Sequence, residues 1–486
     1  MPAMYSRRGT VPHLTFEAAL RHCAQHFGSQ NAVCFLGHAT DTHSRCCLNY
    51  RLFAQRVRRA RQLLMRCGVR AGSCVALFGP NCPQWGVSYF AIVSLGARAV
   101  PLVPELSPQE LRRCLQHAHV CCVIAGAAER ETLAQADTLT DPDAASCSAK
   151  DGQDLSTVSH TAQRTLIALE DFSLVRTTDG VQNTPVPATH WRNAGSDPDA
   201  IASVVYTSTG GAGTPPRAVT FTQRNLLCTA RYAQRVLRVR THDVVFSLLP
   251  LAHLFEFVCA FLAVFLQGAC VWYAPPLPQM RLPLQQLQCV KPTLLFCLPP
   301  FLEAPEQPRS RRPCARQLHT QLGGQLRLLV LWSEECSEHT QILHRIPLEA
   351  VLFHGYLHAS VLIFVTAKKN TKDKDMPAPR TQTRAVPGLK TRLLNYNAFT
   401  STGELALRGE GVTPGYWRDE ARTRAAFTPD GWLRTGTLWT KAETGNLLPC
   451  SSSCHMQLGA RGEAVYAEDL VCVLMQHPCV STHTCA

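Results

Sequence analysis

Between residues 45 and 125 the apolar positions follow two periods in turn. After Asn49, Phe53, Val57, Ala60 and Leu64 recur at spacings of three and four, with Arg51, Arg56, Arg58 and Arg59 between them and Gly68 beyond. That spacing predicts an amphipathic helix capped by Asn49. The apolar run Val75 to Phe78 predicts a buried strand, broken by Pro80 and Asn81. A helix from near Pro83 to Gly96, a strand at Ala99 to Val103, a helix opened by a Ser107/Glu110 capping box and a strand at Val120 to Ile124 follow. Such alternation predicts an α/β fold with a mostly parallel sheet crossed by helices.

The pattern weakens over residues 127 to 200, which read as an irregular connection with a few short elements. Beyond it, Thr222 is placed to cap a helix running to about Arg238. The segment from Leu254 to Tyr273 is almost continuously apolar and nearly long enough to span a bilayer. Glu256, Gln267, Pro250 and His253 point instead to a buried helix, with peripheral membrane contact left open.

A chain of 486 residues with 46% hydrophobic content has enough apolar surface for two or three packed units. Its 48 Lys+Arg against 35 Asp+Glu give +13, a balance suited to anionic ligands or surfaces. No basic run is interleaved with aromatics, which weighs against nucleic acid. The 23 cysteines, with no secretory leader at the start, are expected to be reduced thiols in the cytoplasm. Cys450, Cys454, His455, Cys479, His483 and Cys485 lack metal-site spacing, so no metal site is expected there.

Chemistry concentrates at residues 201 to 225. A β-branched run ends at Tyr206, Thr207 and Ser208; Gly210, Gly211 and Gly213 follow, then Pro215, Pro216 and Arg217. Glycines let successive backbone amides turn toward one point, small hydroxyls add donors, and arginine adds a fixed charge. The combination suits a phosphate chain. This stretch resembles the phosphate loop of the AMP-forming acyl-CoA synthetases, the adenylate-forming superfamily, through Tyr206, Thr207, Ser208, Gly213, Pro216 and Val219. Arg217 stands where the family has lysine.

Further landmarks keep the family's order. Leu249-Pro250-Leu251-Ala252-His253-Leu254-Phe255-Glu256 resembles a box of the long-chain fatty acid ligases that lines the acyl pocket, which implies an acyl role for His253 and Phe255. His354-Gly355-Tyr356 resembles the adenine-stacking box. There Leu357, Ala359 and Ser360 replace the Gly, Thr and Glu, so Ser360 stands where the resemblance implies a magnesium ligand. Trp332-Ser333-Glu334-Glu335 replaces a small Gly/Ala loop. The strongest likeness runs from Thr402-Gly403-Glu404 through Asp430-Gly431-Trp432-Leu433-Arg434-Thr435-Gly436. Thr437 follows, where the family has the ribose-binding Asp.

The resemblance implies a large AMP-binding domain over 1–444, of mostly parallel sheets flanked by helices, and a remnant of the small C-terminal α+β domain over 445–486. It implies ATP, magnesium and coenzyme A, and a two-step conversion of a fatty carboxylate to acyl-adenylate and acyl-CoA. No residue stands for the family's C-terminal lysine. Three readings stay open: a long-chain fatty acid:CoA ligase with impaired catalysis, a non-catalytic relative binding fatty acid, acyl-CoA or nucleotide, and a basic protein for nucleic acid or acidic membrane.

Overall fold

The structure is a computed structural model that describes residues 14–36, 45–139, 164–177, 195–208, 216–273, 282–298, 315–333, 349–356, 358–368, 381–399, 401–441, 447–449, 456–458 and 464–466. In its first third run α1 (Phe16–His26), β1 (Asn31–Leu36), β2 (Arg45–Asn49), α2 (Tyr50–Arg66), β3 (Cys74–Phe78), α3 (Pro83–Ser94), β4 (Arg98–Leu102), α4 (Pro108–His117) and β5 (Val120–Ala125). The caps fall where the sequence puts them: Asn49 accepts from the Leu52 amide, and Ser107 and Glu110 bond reciprocally.

Between 127 and 200 the expected irregular connection holds α5 (Ala127–Thr138), β6 (Thr165–Ala168) and β7 (Leu174–Arg176). A full twelve-residue helix was not legible there, because only Leu133 and Ala136 supply its buried apolar side. Next come β8 (Ile201–Ser208), β9 (Arg217–Thr222), α6 (Gln223–Leu237) and β10 (Val244–Phe246), α6 carrying a Thr222/Asn225 capping box.

The apolar segment after residue 253 is a π-helix (Glu256–Leu262) running into α7 (Ala263–Leu266), then β11 (Cys270–Tyr273). The helix expected as far as Tyr273 thus stops early. Gly268 turns the chain at φ +83°, and the residues beyond it join a sheet. Among the described residues no helix is long and apolar enough to cross a membrane.

The rest comprises α8 (Leu284–Val290), β12 (Leu294–Cys297), α9 (Ala315–Gln321), β13 (Leu328–Ser333), β14 (Ala350–Tyr356), β15 (Ser360–Lys368), β16 (Thr381–Ala385), β17 (Leu389–Asn397), β18 (Thr402–Gly409), β19 (Gly415–Tyr416), α10 (Glu420–Ala426), β20 (Leu433–Lys441), β21 (Leu447–Pro449), β22 (Met456–Leu458) and β23 (Ala464–Tyr466). An eight-stranded sheet has the order β19-β9-β8-β4-β3-β5-β6-β7, and a nine-stranded one β16-β15-β14-β13-β12-β10-β11-β1-β2. Their central strands are parallel, as expected. A smaller antiparallel sheet, β17-β18-β20-β21, and the ribbon β22-β23 complete the set.

Helix α3 is buried nearly all round, with Tyr89 against Phe257 of the π-helix and Phe90 against Phe265 of α7. The close approach needs Gly86, where a Cβ would come within 2.8 Å of the Phe261 ring. A helix apolar on every side belongs inside.

The expectation of reduced thiols fails at one pair. Cys34 and Cys47 lie directly opposite on antiparallel β1 and β2, with Cα atoms 4.1 Å apart, and form a disulfide. Register alone brings them into bonding range.

Candidate functional site

Strands β8 and β9 form an antiparallel hairpin with Ser208 opposite Arg217. The Thr207 hydroxyl lies across it, donating to the Arg217 carbonyl at 3.5 Å. Gly210, Gly211 and Gly213 fall outside the described residues.

Tyr356 ends β14, at the carboxyl edge of the parallel strands, where open α/β sheets place ligands. Its ring stacks on His358 at 5.5 Å, and His358 Nε2 lies 3.3 Å from the Thr435 carbonyl. Thr435 Oγ1 is in turn 2.7 Å from Thr437 Oγ1. Contacts therefore run unbroken from the adenine candidate to the ribose candidate. His358 was not singled out in the sequence, although an aromatic two residues past Tyr356 was visible.

Thr437 has little capacity to spare. Its hydroxyl accepts from Trp439 Nε1 at 3.1 Å and donates to Thr435 Oγ1, whose own proton goes to the Leu405 carbonyl. A carboxylate in its place would accept from Trp439 Nε1 and keep an oxygen for two ribose hydroxyls. Thr437→Asp is expected to tighten AMP binding by about one to two powers of ten, the worth of one charged hydrogen bond. Isothermal titration would check it.

Ser360 offers nothing to a metal. It is buried and donates its hydroxyl to the Leu362 carbonyl at 3.1 Å. Among the described residues no group of three His, Cys, Asp or Glu could hold a metal ion. Ser360 therefore does not fit the role of a magnesium ligand, and no step is routed through the metal.

The turn from β14 to β15 is tight: Tyr356 pairs with Ser360, and the Thr413 amide donates to the Ala359 carbonyl while its hydroxyl reaches Thr220 on β9. Segment 410–416 thus ties the two large sheets together at the site. A Cβ on Gly355 would collide with the Val361 carbonyl oxygen, a backbone atom that cannot move aside. Gly355→Ala is expected to cost about 3 kcal/mol or more in a denaturant melt.

His253 and Phe255, the acyl-pocket candidates, both face Trp332. The indole meets the His253 ring edge-on at 5.1 Å, stacks on Phe255 at 5.7 Å and donates to the Val361 carbonyl at 2.9 Å. Part of His253 is accessible, but its Nδ1 is sealed without a partner, and burial lowers its pKa to about 4. It is a neutral imidazole at pH 7. Glu256, fully buried, accepts from Ser247 Oγ at 2.6 Å, and burial raises its pKa to about 8 against the hydrogen bonds it receives. Asn81 donates to Ser247 Oγ and the Leu249 carbonyl and accepts from the Leu251 amide, so the turn before His253 is held from both sides.

The chain has known relatives. The family described as AMP-binding enzyme matches residues 20–417. This chain belongs to the AMP-binding enzyme family. It is 24% identical over 461 residues to "Long-chain-fatty-acid--CoA ligase 6" of Mus musculus, an alignment covering 83% of this chain and 62% of that protein. With "Fatty acyl-CoA synthetase B" of Dictyostelium discoideum the identity is 23%, covering 88% and 68%. The chain thus spans less than two thirds of the mouse ligase. Among solved structures, IdnL1 superposes with a TM-score of 0.70 at 19% identity, covering 94% of this chain and 86% of IdnL1. The N-terminal domain of FACL13 from Mycobacterium tuberculosis gives 0.64 at 17% identity, covering 90% and 99%. These likenesses show the family fold.

Proposed function

We propose that this AMP-binding enzyme family member activates a long-chain fatty carboxylate with ATP, and does so slowly. A carboxylate oxygen attacks the α-phosphorus and pyrophosphate leaves; the thiol of coenzyme A then attacks the acyl carbon and AMP leaves. In this reading Tyr356 stacks on adenine and Thr437 contributes a single ribose contact. Arg217, Thr207, Ser208, Gly210, Gly211 and Gly213 face the phosphates, while His253 and Phe255 line the acyl entrance. The observation that carries it is the continuous line of contacts Tyr356, His358, Thr435, Thr437 on a fold shared with acyl-CoA ligases. A cytoplasmic location and a small C-terminal unit from residue 445 belong to the same proposal.

The test is exchange of labelled pyrophosphate into ATP with palmitate present. Acid-dependent label in ATP supports the proposal. The internal engagement of the Ser360 and Thr437 hydroxyls favours a second reading, a binder that does not turn over. Nucleotide and palmitate binding without exchange would establish that reading instead.

A further inference from the structure

We propose that the outer face of α2 is a docking surface for an anionic phospholipid bilayer. The helix carries six arginines in 17 residues and no acidic residue, and none occurs anywhere between Asp41 and Glu105. Its buried stripe of Phe53, Val57, Ala60 and Leu64 fixes what faces out. The exposed positions are Arg51, Leu52, Gln55, Arg58, Arg59, Gln62 and Arg66. At 100° per residue they fall on one arc, a stripe about 25 Å long.

Counter-charge within the chain is scarce. Glu17 is held by Arg21 at 3.4 Å and Arg61 at 3.9 Å. Among the described residues Arg51, Arg58, Arg59 and Arg66 make no ion pair, and Arg70 beyond the helix end donates to the Met65 and Val69 carbonyls with its side chain exposed. Four unpaired guanidinium groups on one face repel one another, and an anionic surface relieves that.

The chemistry favours lipid over nucleic acid. The face holds no aromatic on which bases could stack, and its one apolar member, Leu52 at 44% exposure, suits insertion between headgroups. So little apolar area makes the attachment electrostatic and reversible by salt. The inference stands on α2 alone and is independent of whether the chain adenylates anything.

The experiment is sedimentation of the full chain with vesicles of phosphatidylcholine alone or mixed with phosphatidylglycerol, in low and high salt. Binding is expected only to the mixed vesicles and only in low salt. Arg51→Gln, Arg58→Gln, Arg59→Gln and Arg66→Gln together are expected to lower partition by about two powers of ten or more, each arginine contributing roughly fivefold. A control removes as many charges elsewhere, at the exposed Arg235, Arg240, Lys291 and Lys390, and is expected to bind like wild type. The paired variants Arg51→Gln/Arg58→Gln and Arg59→Gln/Arg66→Gln provide the same comparison if the fourfold variant does not fold. Equal loss in the control would overturn the proposal in favour of net charge. No binding to mixed vesicles, or α2-dependent binding to duplex DNA in its place, would overturn it too.

Discussion

Labelled pyrophosphate is expected to enter ATP at least about a thousandfold more slowly than in a relative carrying the Lys, Glu and Asp for which Arg217, Ser360 and Thr437 stand. If each exchange forfeits about 1.5 to 3 kcal/mol, a charged hydrogen bond, three sum to roughly 4.5 to 9 kcal/mol. At 1.36 kcal/mol per power of ten that is about three to six powers, and coupling within one site holds the figure toward the lower end. The planar fork of Arg217 cannot occupy the point of an ammonium. Arg217→Lys with Thr437→Asp is expected to recover about two powers of ten, since Trp439 Nε1 already presents a donor at position 437. Adding Ser360→Glu is expected to fail: that side chain is enclosed beneath the β14–β15 turn, so a carboxylate would be buried without a partner. A wild-type rate equal to such a relative's would refute the premise that these exchanges matter.

How much of this was legible in the sequence depended on how local the cause was. Helices α2 and α4 and strands β3 to β5 were legible because caps and apolar period are local properties. The break at Gly268 was not, because an unbroken apolar run reads alike as helix or buried strand. The disulfide depends on register: successive side chains alternate, so Cys47 faces Cys34 while Cys46 lies opposite Phe35, and nothing in the pair Cys46-Cys47 chooses between them. At the site, motif order brought Tyr356 and Thr437 into view together. What the sequence withheld was who already holds each hydroxyl. Trp439, Leu362 and Thr435 are partners chosen by packing, as is Trp332 for His253 and Phe255.

Packing also buries two titratable groups whose pH signatures run in opposite directions. Glu256 keeps its proton in the folded chain up to about pH 8, whereas unfolded it loses it near 4.5, so stability falls as pH rises through that interval. The full shift is worth about 4 to 5 kcal/mol at 1.36 kcal/mol per unit. His253 behaves inversely: unfolded it takes up a proton near 6.5, folded only near 4, so stability rises with pH over that range. The two oppose each other below pH 6.5, where His117 and His119 act with His253 and the buried Glu129 acts with Glu256. Above 6.5 the histidine contribution is complete and, among the described residues, Glu256 carries most of the change to about 8, a loss of roughly 2 kcal/mol, with the buried thiols joining in the same direction only toward pH 9. Urea melts of wild type are therefore expected to weaken from pH 6.5 to 8. A glutamine side chain has nothing to ionise, so Glu256→Gln is expected to flatten that limb while leaving the acid limb of His253 in place. Its amide nitrogen inherits the position of the unpartnered Oε2, so the variant starts from lower stability and the informative quantity is the slope. An unchanged slope between pH 6.5 and 8 would show that Glu256 is ionised in the folded chain, and with it that the Asn81, Ser247 and Glu256 network carries a charge beneath the turn before His253.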